Sequence, residues 1–359
     1  MKIGIAAAGS GGHVYPALAV ADELVRRGFA HDDIVFFGGD RMEATTVPSA
    51  GYPFVGVDIH GIRRSLSTDN LTLPVKVMRA RNTITDRIRS DGLRAMVVFG
   101  GYIAGPAALA ARRASIPLIV HEANAVPGVA NRMVASRATT IYAAFAPSLD
   151  KLPQATVIGS PLRRDLVTFD RTALRPQARA HYGIGGEALV VGVVGGSLGA
   201  AFLNEVAEEL ATTPDRGYEL LHVTGRDHYE AIASRTTDVR GWHVTPYEDD
   251  MARFYAAVDV VVCRGGAMTV SELQATRTPA VVVPLPAGGG YQAQNASDLV
   301  AAGGGVVVAQ TTVHDVVEAV RAVVGDPDTL TAMAAAESDV DHRLAVSIMA
   351  DEILRATDA

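Results

Sequence analysis

The chain carries several glycine-rich turns, each directly after a short apolar run, with a few polar side chains beside them. The first is Ala8-Gly9-Ser10-Gly11-Gly12-His13. Glycines let a backbone approach an anion closely, and a helix starting there offers free N–H groups and the positive end of its dipole. The segment therefore reads as a cradle for a phosphate or diphosphate, against the alternative of a tight turn that binds nothing. It is not a Walker loop, because no Lys-Ser or Lys-Thr follows. It departs from the dinucleotide fingerprint at Val14, where a third glycine belongs. His13 stands at the loop–helix junction. An imidazole there titrates close to neutrality, a helix N-terminus favours its uncharged form, and it can accept a proton from an attacking hydroxyl. On this residue alone, a capping histidine is an equal alternative.

A second glycine turn, Phe99-Gly100-Gly101-Tyr102, could meet the same anion or only reverse the backbone. His121-Glu122-Ala123-Asn124 puts polar side chains at the end of an apolar run, where ligands of open α/β sheets bind, and Asn124 could reach sugar hydroxyls. Arg163, in Gly159-Ser160-Pro161-Leu162-Arg163, could offer two donors to a diphosphate. Val194-Gly195-Gly196-Ser197-Leu198-Gly199 mirrors the first cradle, its amides and the Ser197 hydroxyl forming a second nest for phosphate. Arg264-Gly265-Gly266 leads into Ala267-Met268-Thr269-Val270-Ser271-Glu272. The amides at that helix start suit a diphosphate, and Glu272, about one turn in, can accept both hydroxyls of a ribose diol. Gln292 follows the flexible Gly288-Gly289-Gly290 and can hydrogen-bond a sugar. Singly, each has a plain structural reading: turn residue, solvated arginine, dipole-compensating glutamate, mobile loop. Two cradles, one per half, are more specific than either and suggest two phosphate-bearing ligands or the two ends of one.

Something must hold these turns in place, and the pattern between them says what. In the first half, apolar runs fall at Lys2–Ala7, Ile34–Phe37, Phe54–Val57, Met96–Phe99, Pro117–Val120, Thr140–Ala143 and Thr156–Ile158. Helical stretches such as Pro16–Arg27 and Gly105–Arg113 lie between them. The pattern restarts with Leu189–Val194, Leu220–Val223, His243–Thr245, Val258–Val262, Ala280–Val283 and Gly305–Val308. Continuous apolar strands alternating with helices predict parallel sheets covered on both faces, hence an α/β protein with two Rossmann-like domains. The boundaries fall at residues 1–160 and 161–340, with Ser160–Tyr182, rich in arginine and holding Pro161 and Pro176, as the connection. A last helix, about 341–357, is expected to pack back on the first domain. Ligands are expected where the carboxyl ends of the two sheets face each other across a cleft.

The 359 residues suffice for two domains, and 48% apolar with 20% charged residues excludes wholesale disorder. A net charge of −7 gives no global basic field for nucleic acid. The single cysteine, Cys263, sits in an apolar run and reads as a small buried hydrophobe; one cysteine allows no internal disulfide and suits a reducing compartment. No targeting or membrane-spanning segment is expected. Metal ligation is not expected: Asp326, Asp328, Asp339 and Asp341 read as turn or cap residues. The stretch Leu71–Arg81, with Lys76, Arg79 and Arg81 among apolar residues and Arg63-Arg64 before it, could lie on an anionic membrane surface or simply pack on its own domain.

Taken in order, these motifs resemble the MurG family, bacterial transferases that add N-acetylglucosamine to undecaprenyl-diphospho-N-acetylmuramoyl pentapeptide, converting lipid I to lipid II. The similarity runs from Lys2 to about Gln310 and rests on Gly9–His13, Gly100–Tyr102, His121–Asn124, Gly159–Arg163, Gly195–Ser197 and Ala267–Glu272. The resemblance implies a GT-B fold with the lipid-linked acceptor on the N-terminal domain and UDP-N-acetylglucosamine on the C-terminal one. It assigns His13 as proposed base or acceptor-site histidine, with Gly9, Gly100, Gly101 and Tyr102 toward the acceptor. Donor contacts carried over are Ser10, Gly11, Gly12, Asn124, Arg163, Ser197, Glu248 (by its backbone, to uracil), Ala267, Met268, Thr269, Val270, Ser271, Glu272 and Gln292. It implies no cofactor, no metal and no nucleic acid, and a peripheral place on the cytoplasmic face of an anionic inner membrane. The chain departs from the family at Ala123 and Leu198, usually glutamine, and at Ala287–Tyr291, usually polar; these positions bear on the transferred sugar and the acceptor.

The expected reaction is an inverting transfer in which an acceptor hydroxyl, deprotonated by His13 or a neighbour, attacks the anomeric carbon as UDP leaves, with domain closure excluding water. The rivals are a transferase of the same fold with a soluble acceptor, a UDP-sugar 2-epimerase on the same plan, and a non-catalytic nucleotide-sugar binding module.

Overall fold

The structure, a computed structural model, describes residues 1–59, 69–196, 199–236, 239–286 and 290–358, without the side chains of residues 69–72. The chain divides into two compact units, Met1–Arg164 with His342–Ala359, and Asp165–Asp341.

In the first unit the strands are β1 (Lys2–Ala6), β2 (Ile34–Gly38), β3 (Phe54–Gly56), β4 (Leu93–Val98), β5 (Leu118–Glu122), β6 (Thr140–Ala143) and β7 (Thr156–Val157). They form a parallel sheet in the order β3-β2-β1-β4-β5-β6-β7. β2 and β5 are buried at every residue because helices cover both faces, which is why β2 and the first three residues of β5 read as apolar runs. The order reverses direction between β1 and β4, and the turns after these two strands start side by side, Ala6 pairing with Val98. Such a switch point is where open α/β sheets bind ligands.

The second unit repeats the plan with β8 (Val190–Val194), β9 (Glu219–Val223), β10 (Trp242–Thr245), β11 (Val260–Cys263), β12 (Ala280–Val282) and β13 (Gly305–Val307), ordered β10-β9-β8-β11-β12-β13, all parallel. Its switch point lies between β8 and β11, where Val194 pairs with Cys263. Cys263 is fully buried and its thiol is pushed up to about 12 by burial, so it is a core residue.

Each sheet has its own apolar core. Phe37, Met96, Val98, Ile103 and Val120 belong to the first, Val193, Leu203, Leu220, Val262 and Val281 to the second. The final helix, His342–Asp358, belongs to the first unit and buries Ala345, Met349, Ala350 and Ile353. It is tied to the helix Gly11–Arg26 at its C-cap, where Arg27 donates to Ser347 Oγ at 2.7 Å and pairs with Asp351.

Two local expectations need correction. The first helix begins at Gly11, not at Pro16, which sits inside it. Proline fits the first turn of a helix because its missing N–H is not needed there, which is why Pro16 reads as a helix start; at the sixth position it instead forgoes one intrahelical hydrogen bond. The arginine-rich stretch read as a connection is mostly the helix Arg171–Tyr182 of the second unit. Arg171 donates to the carbonyls of Tyr255 (2.5 Å) and Val258 (2.7 Å) and to Thr278 Oγ1 (2.7 Å), while Arg175 and Arg179 pair with Asp259.

Candidate functional site

In the first unit the site is built from the turns after β1, β2 and β4. Gly9 has a φ of 101°, a backbone shape that favours glycine. Gly100 and Gly101 adopt it too, and the approach is close: a methyl on Gly101 would lie 2.2 Å from the Ala8 carbonyl oxygen. Ser10 caps the helix Gly11–Arg26 in an extended conformation without a side-chain capping bond. The N–H groups of Gly11 and Gly12, in the first turn, have no acceptor within the helix and are available to an anion. The amide of Gly9 is used within the protein: it donates to Glu43 Oε2 at 3.1 Å.

His13 is half-buried. Its Nδ1 lies 3.1 Å from Ala8 O and 3.3 Å from Ser10 Oγ. A carbonyl only accepts, so Nδ1 carries the proton in that bond and Nε2 keeps the basic lone pair. A methyl on Gly100 would stand 3.0 Å from Nε2, so the ring lies against this glycine. Burial lowers the His13 pKa from 6.5, against the opposing pull of the Ala8 carbonyl and the Glu43 charge. The ring is therefore neutral at pH 7, as a general base must be.

Glu43 was not legible as a site residue, yet it is fully buried at the centre of this arrangement. Its Oε1 accepts from the Tyr102 hydroxyl at 2.7 Å and from the Gly39 amide at 3.1 Å. Burial alone would raise its pKa, but these donors together with Gly9 N–H hold the carboxyl below the usual range. Arg41 lies 5.7 Å from the centre of the Tyr102 ring.

At the end of β5, His121 and Glu122 are buried. Glu122 accepts from the amides of Asn124 (2.9 Å) and Gly128 (3.0 Å) and from Asn131 Nδ2 (2.9 Å), shaping the loop; burial raises its pKa. His121 Nε2 donates to Gly159 O at 2.9 Å, and burial pushes its pKa down to about 4. His342 Nδ1 accepts from the Ser160 amide at 2.8 Å. Two buried histidines thus fix Gly159-Ser160. Arg163, three residues on, and Asn124 are both half-buried.

In the second unit the turn Gly195–Gly196 starts beside Arg264–Gly266; Ser197 and Leu198 lie outside the described residues, as do residues 287–289. The helix Ala267–Thr276 has Gly266 as its N-cap and no side-chain cap, so the amides of Ala267, Met268 and Thr269 are the open donors. Val270 and Ser271 are fully buried, the Val270 amide donates to Gly266 O, and Ser271 Oγ donates to Ala267 O at 2.9 Å. Glu272 is half-buried, with Oε2 accepting from Tyr255 Oη at 2.9 Å. Glu248 is buried. Its side chain accepts from the Asp250 amide (2.7 Å), Arg253 (2.8 Å) and Tyr182 Oη, so only its backbone is left to a ligand.

Gln292 is joined to this turn. A methyl on Gly265 would lie 2.2 Å from Gln292 O, Asn295 Nδ2 donates to Gly265 O at 3.0 Å, and Gln292 Oε1 accepts from the Leu285 amide at 2.8 Å. Glu43 and Tyr255 are the residues sequence reasoning missed. A charged residue soon after Gly38-Gly39 at a strand end was the one available signal for Glu43. Among the described residues no group of three or more His, Cys, Asp or Glu is placed to hold a metal ion.

A parallel seven-stranded sheet and a parallel six-stranded one, each with a glycine cradle at its switch point, define a class when set beside known proteins. Residues 3–143 match the glycosyltransferase family 28 N-terminal domain and residues 190–347 its C-terminal domain, so this is a family 28 glycosyltransferase of GT-B fold. The chain is 37% identical to the UDP-N-acetylglucosamine–N-acetylmuramyl-(pentapeptide) pyrophosphoryl-undecaprenol N-acetylglucosamine transferase of Acidothermus cellulolyticus, covering 100% of this chain and 99% of that one. The like-named protein of Clavibacter sepedonicus is 40% identical over 97% of this chain and 94% of its own. The crystal structure of Acinetobacter baumannii MurG superposes with a TM-score of 0.76 at 29% identity, over 99% of this chain and 100% of that one. Within family 28, the chain belongs to the MurG family. The UDP-GlcNAc 2-epimerase from Neisseria meningitidis, at TM-score 0.70 and 15% identity over 99% of this chain and 100% of that one, shares the fold alone.

Proposed function

We propose that this chain transfers N-acetylglucosamine from UDP-N-acetylglucosamine to a hydroxyl of undecaprenyl-diphospho-N-acetylmuramoyl pentapeptide, with inversion, in peptidoglycan synthesis. The observation that carries the reading is His13: a neutral imidazole with Nδ1 at 3.1 Å from Ala8 O, its Nε2 free to act as base, one turn into a helix whose first amides suit a diphosphate. In the first unit Gly100, Gly101 and Tyr102 would meet the acceptor, while Ser10 and the open amides of Gly11 and Gly12 would contact the donor. The second would hold the donor, with the amides of Ala267–Thr269 and the Ser197 loop on the diphosphate, Glu272 on the ribose and Gln292 on the sugar. No metal or other cofactor is required by this scheme, because charge on the leaving UDP is met by helix-end amides. Proton NMR of the product formed from a soluble lipid I analogue tests it. A β-linked disaccharide and one UDP released per linkage are expected; an α linkage, or UDP released without acceptor, contradicts the proposal.

The same reading places the protein peripherally on the cytoplasmic face of an anionic membrane. Among the described residues no helix is long and apolar enough to cross a bilayer. The helix Asp69–Asp91 leaves Val75 and Met78 exposed beside Arg79, and the helix Val129–Ala135 exposes Val129 and Met133 beside Arg132. Apolar residues next to cations suit an anionic lipid surface. Lys76 is partly used at home, paired with Asp58 at 2.9 Å, and Arg63 and Arg64 lie outside the described residues. Co-sedimentation with phosphatidylglycerol vesicles should fall when Met78 and Met133 are both changed to serine; unchanged binding would remove these helices from the contact.

A further inference from the structure

We infer that Glu43 is a positioning residue for the transfer, its carboxylate locking the Gly9 turn, the Gly39 turn and Tyr102 into one frame that sets the place of His13. This deepens the function proposed above and rests on it. Three donors from separate segments converge on one buried side chain: Gly9 N–H on Oε2 at 3.1 Å, Gly39 N–H and Tyr102 O–H on Oε1 at 3.1 and 2.7 Å. The surroundings leave no slack. A methyl on Gly38 would come within 2.7 Å of Glu43 Cγ, and one on Gly39 within 2.2 Å of Tyr102 Oη.

The consequence for the base follows from connectivity. Gly9 directly follows Ala8, whose carbonyl accepts from His13 Nδ1 and so leaves Nε2 basic. Orienting the Gly9 amide toward Glu43 fixes the Ala8–Gly9 peptide, and the helix start at Gly11 follows two residues later. A buried anion beside an anion cradle is costly unless its charge is fully hydrogen-bonded, which it is here. The charged group that bears on His13 is Glu43, which supports its protonated form; the buried imidazole of His121, a titratable group, lies near it, and beyond Tyr102 stand Arg41 and Asp40.

The test uses the full-length enzyme and two variants. In Glu43→Gln one carboxylate oxygen becomes an NH₂ that faces an N–H donor, so the frame is broken and the charge lost. In Glu43→Asp the charge stays and the reach shortens. Glu43→Gln should lower kcat about 10²-fold, since small misplacement of a catalytic group costs that much. UDP affinity, measured by calorimetry, should be unchanged, and NMR should show the His13 imidazole titrating at lower pH than in the wild type. Glu43→Asp should restore part of kcat and leave the His13 titration near its wild-type position. A Glu43→Gln enzyme with wild-type kcat and wild-type His13 titration would overturn the inference, as would Glu43→Asp shifting His13 as far as Glu43→Gln does. If Glu43→Gln fails to fold, Tyr102→Phe decides: a kcat about tenfold lower with an unshifted His13 supports the frame, and an unchanged kcat refutes it. If the wild type transfers nothing, the proposed function fails, while the His13 titration still judges Glu43.

Discussion

Gly101 and Ala8 meet backbone to backbone: a methyl on Gly101 would lie 2.2 Å from the Ala8 carbonyl oxygen, and Gly101 has a φ of 76°. That carbonyl also accepts the His13 Nδ1 proton, so the turns after β1 and β4 are coupled through one oxygen. Gly101→Ala must therefore push Ala8 aside and adopt a left-handed conformation. A loss of about 2–4 kcal/mol in urea unfolding is expected, together with a fall in transfer rate. Gly105, where nothing lies within 4 Å, is the control: Gly105→Ala should leave stability equal or slightly higher.

His13 should set the acid limb of activity. Its folded pKa is below 6.5 because it is buried, so the basic form prevails at pH 7 and kcat/KM falls only as pH drops through that lowered value. His13→Ala should cost about 10²–10⁴-fold in kcat, remove the acid limb and leave UDP affinity intact. An acid limb that survives in His13→Ala would assign the base elsewhere.

Tyr255 and Glu272 are coupled across the second unit, the hydroxyl donating to Oε2 at 2.9 Å. Tyr255→Phe removes the bond that orients the carboxylate, and UDP binding should weaken about five- to tenfold, the worth of one typical net hydrogen bond. Glu272→Ala should weaken it further. Equal UDP affinity in Glu272→Ala and wild type, by calorimetry, would remove the ribose contact.

Buried imidazoles limit stability in acid. Burial holds His121 at about 4 and His222 at about 3, whereas both titrate near 6.5 when unfolded. Above about pH 6.5 both states are neutral and these groups favour neither. Below it the unfolded chain binds protons that the folded chain refuses, so stability falls toward the two folded values, by about 1.4 kcal/mol per group and pH unit. Urea midpoints should decline between pH 6.5 and 5; a flat profile would show that these rings are already charged, or exposed, in the folded protein.

Much of this arrangement was legible from residue order. The strand runs were visible because parallel strands covered on both faces are apolar along most of their length, as β2 and β8 are. The cradles were visible because close backbone approach needs glycine. What escaped notice depends on partners far away in the chain. Glu43 draws on Gly9 and Tyr102, 34 and 59 residues distant, and a lone glutamate carries no local mark of that. The helix Arg171–Tyr182 looked like a connection because its inward face is arginine at 171, 175 and 179, gripping carbonyls and Asp259 where an apolar stripe would be expected. His121 and Glu122 looked like ligand groups because polar residues at a strand end often are; here Glu122 ties its own loop and His121 ties the distant Gly159 turn.

The most direct test follows radiolabel from UDP-N-acetylglucosamine in the presence and absence of an undecaprenyl-diphosphate-linked acceptor analogue. The account predicts label in the lipid fraction, UDP appearing in equal amount, and neither without acceptor. Label that stays on the nucleotide while its sugar is epimerised, or that never reaches the lipid although UDP binds, would contradict it.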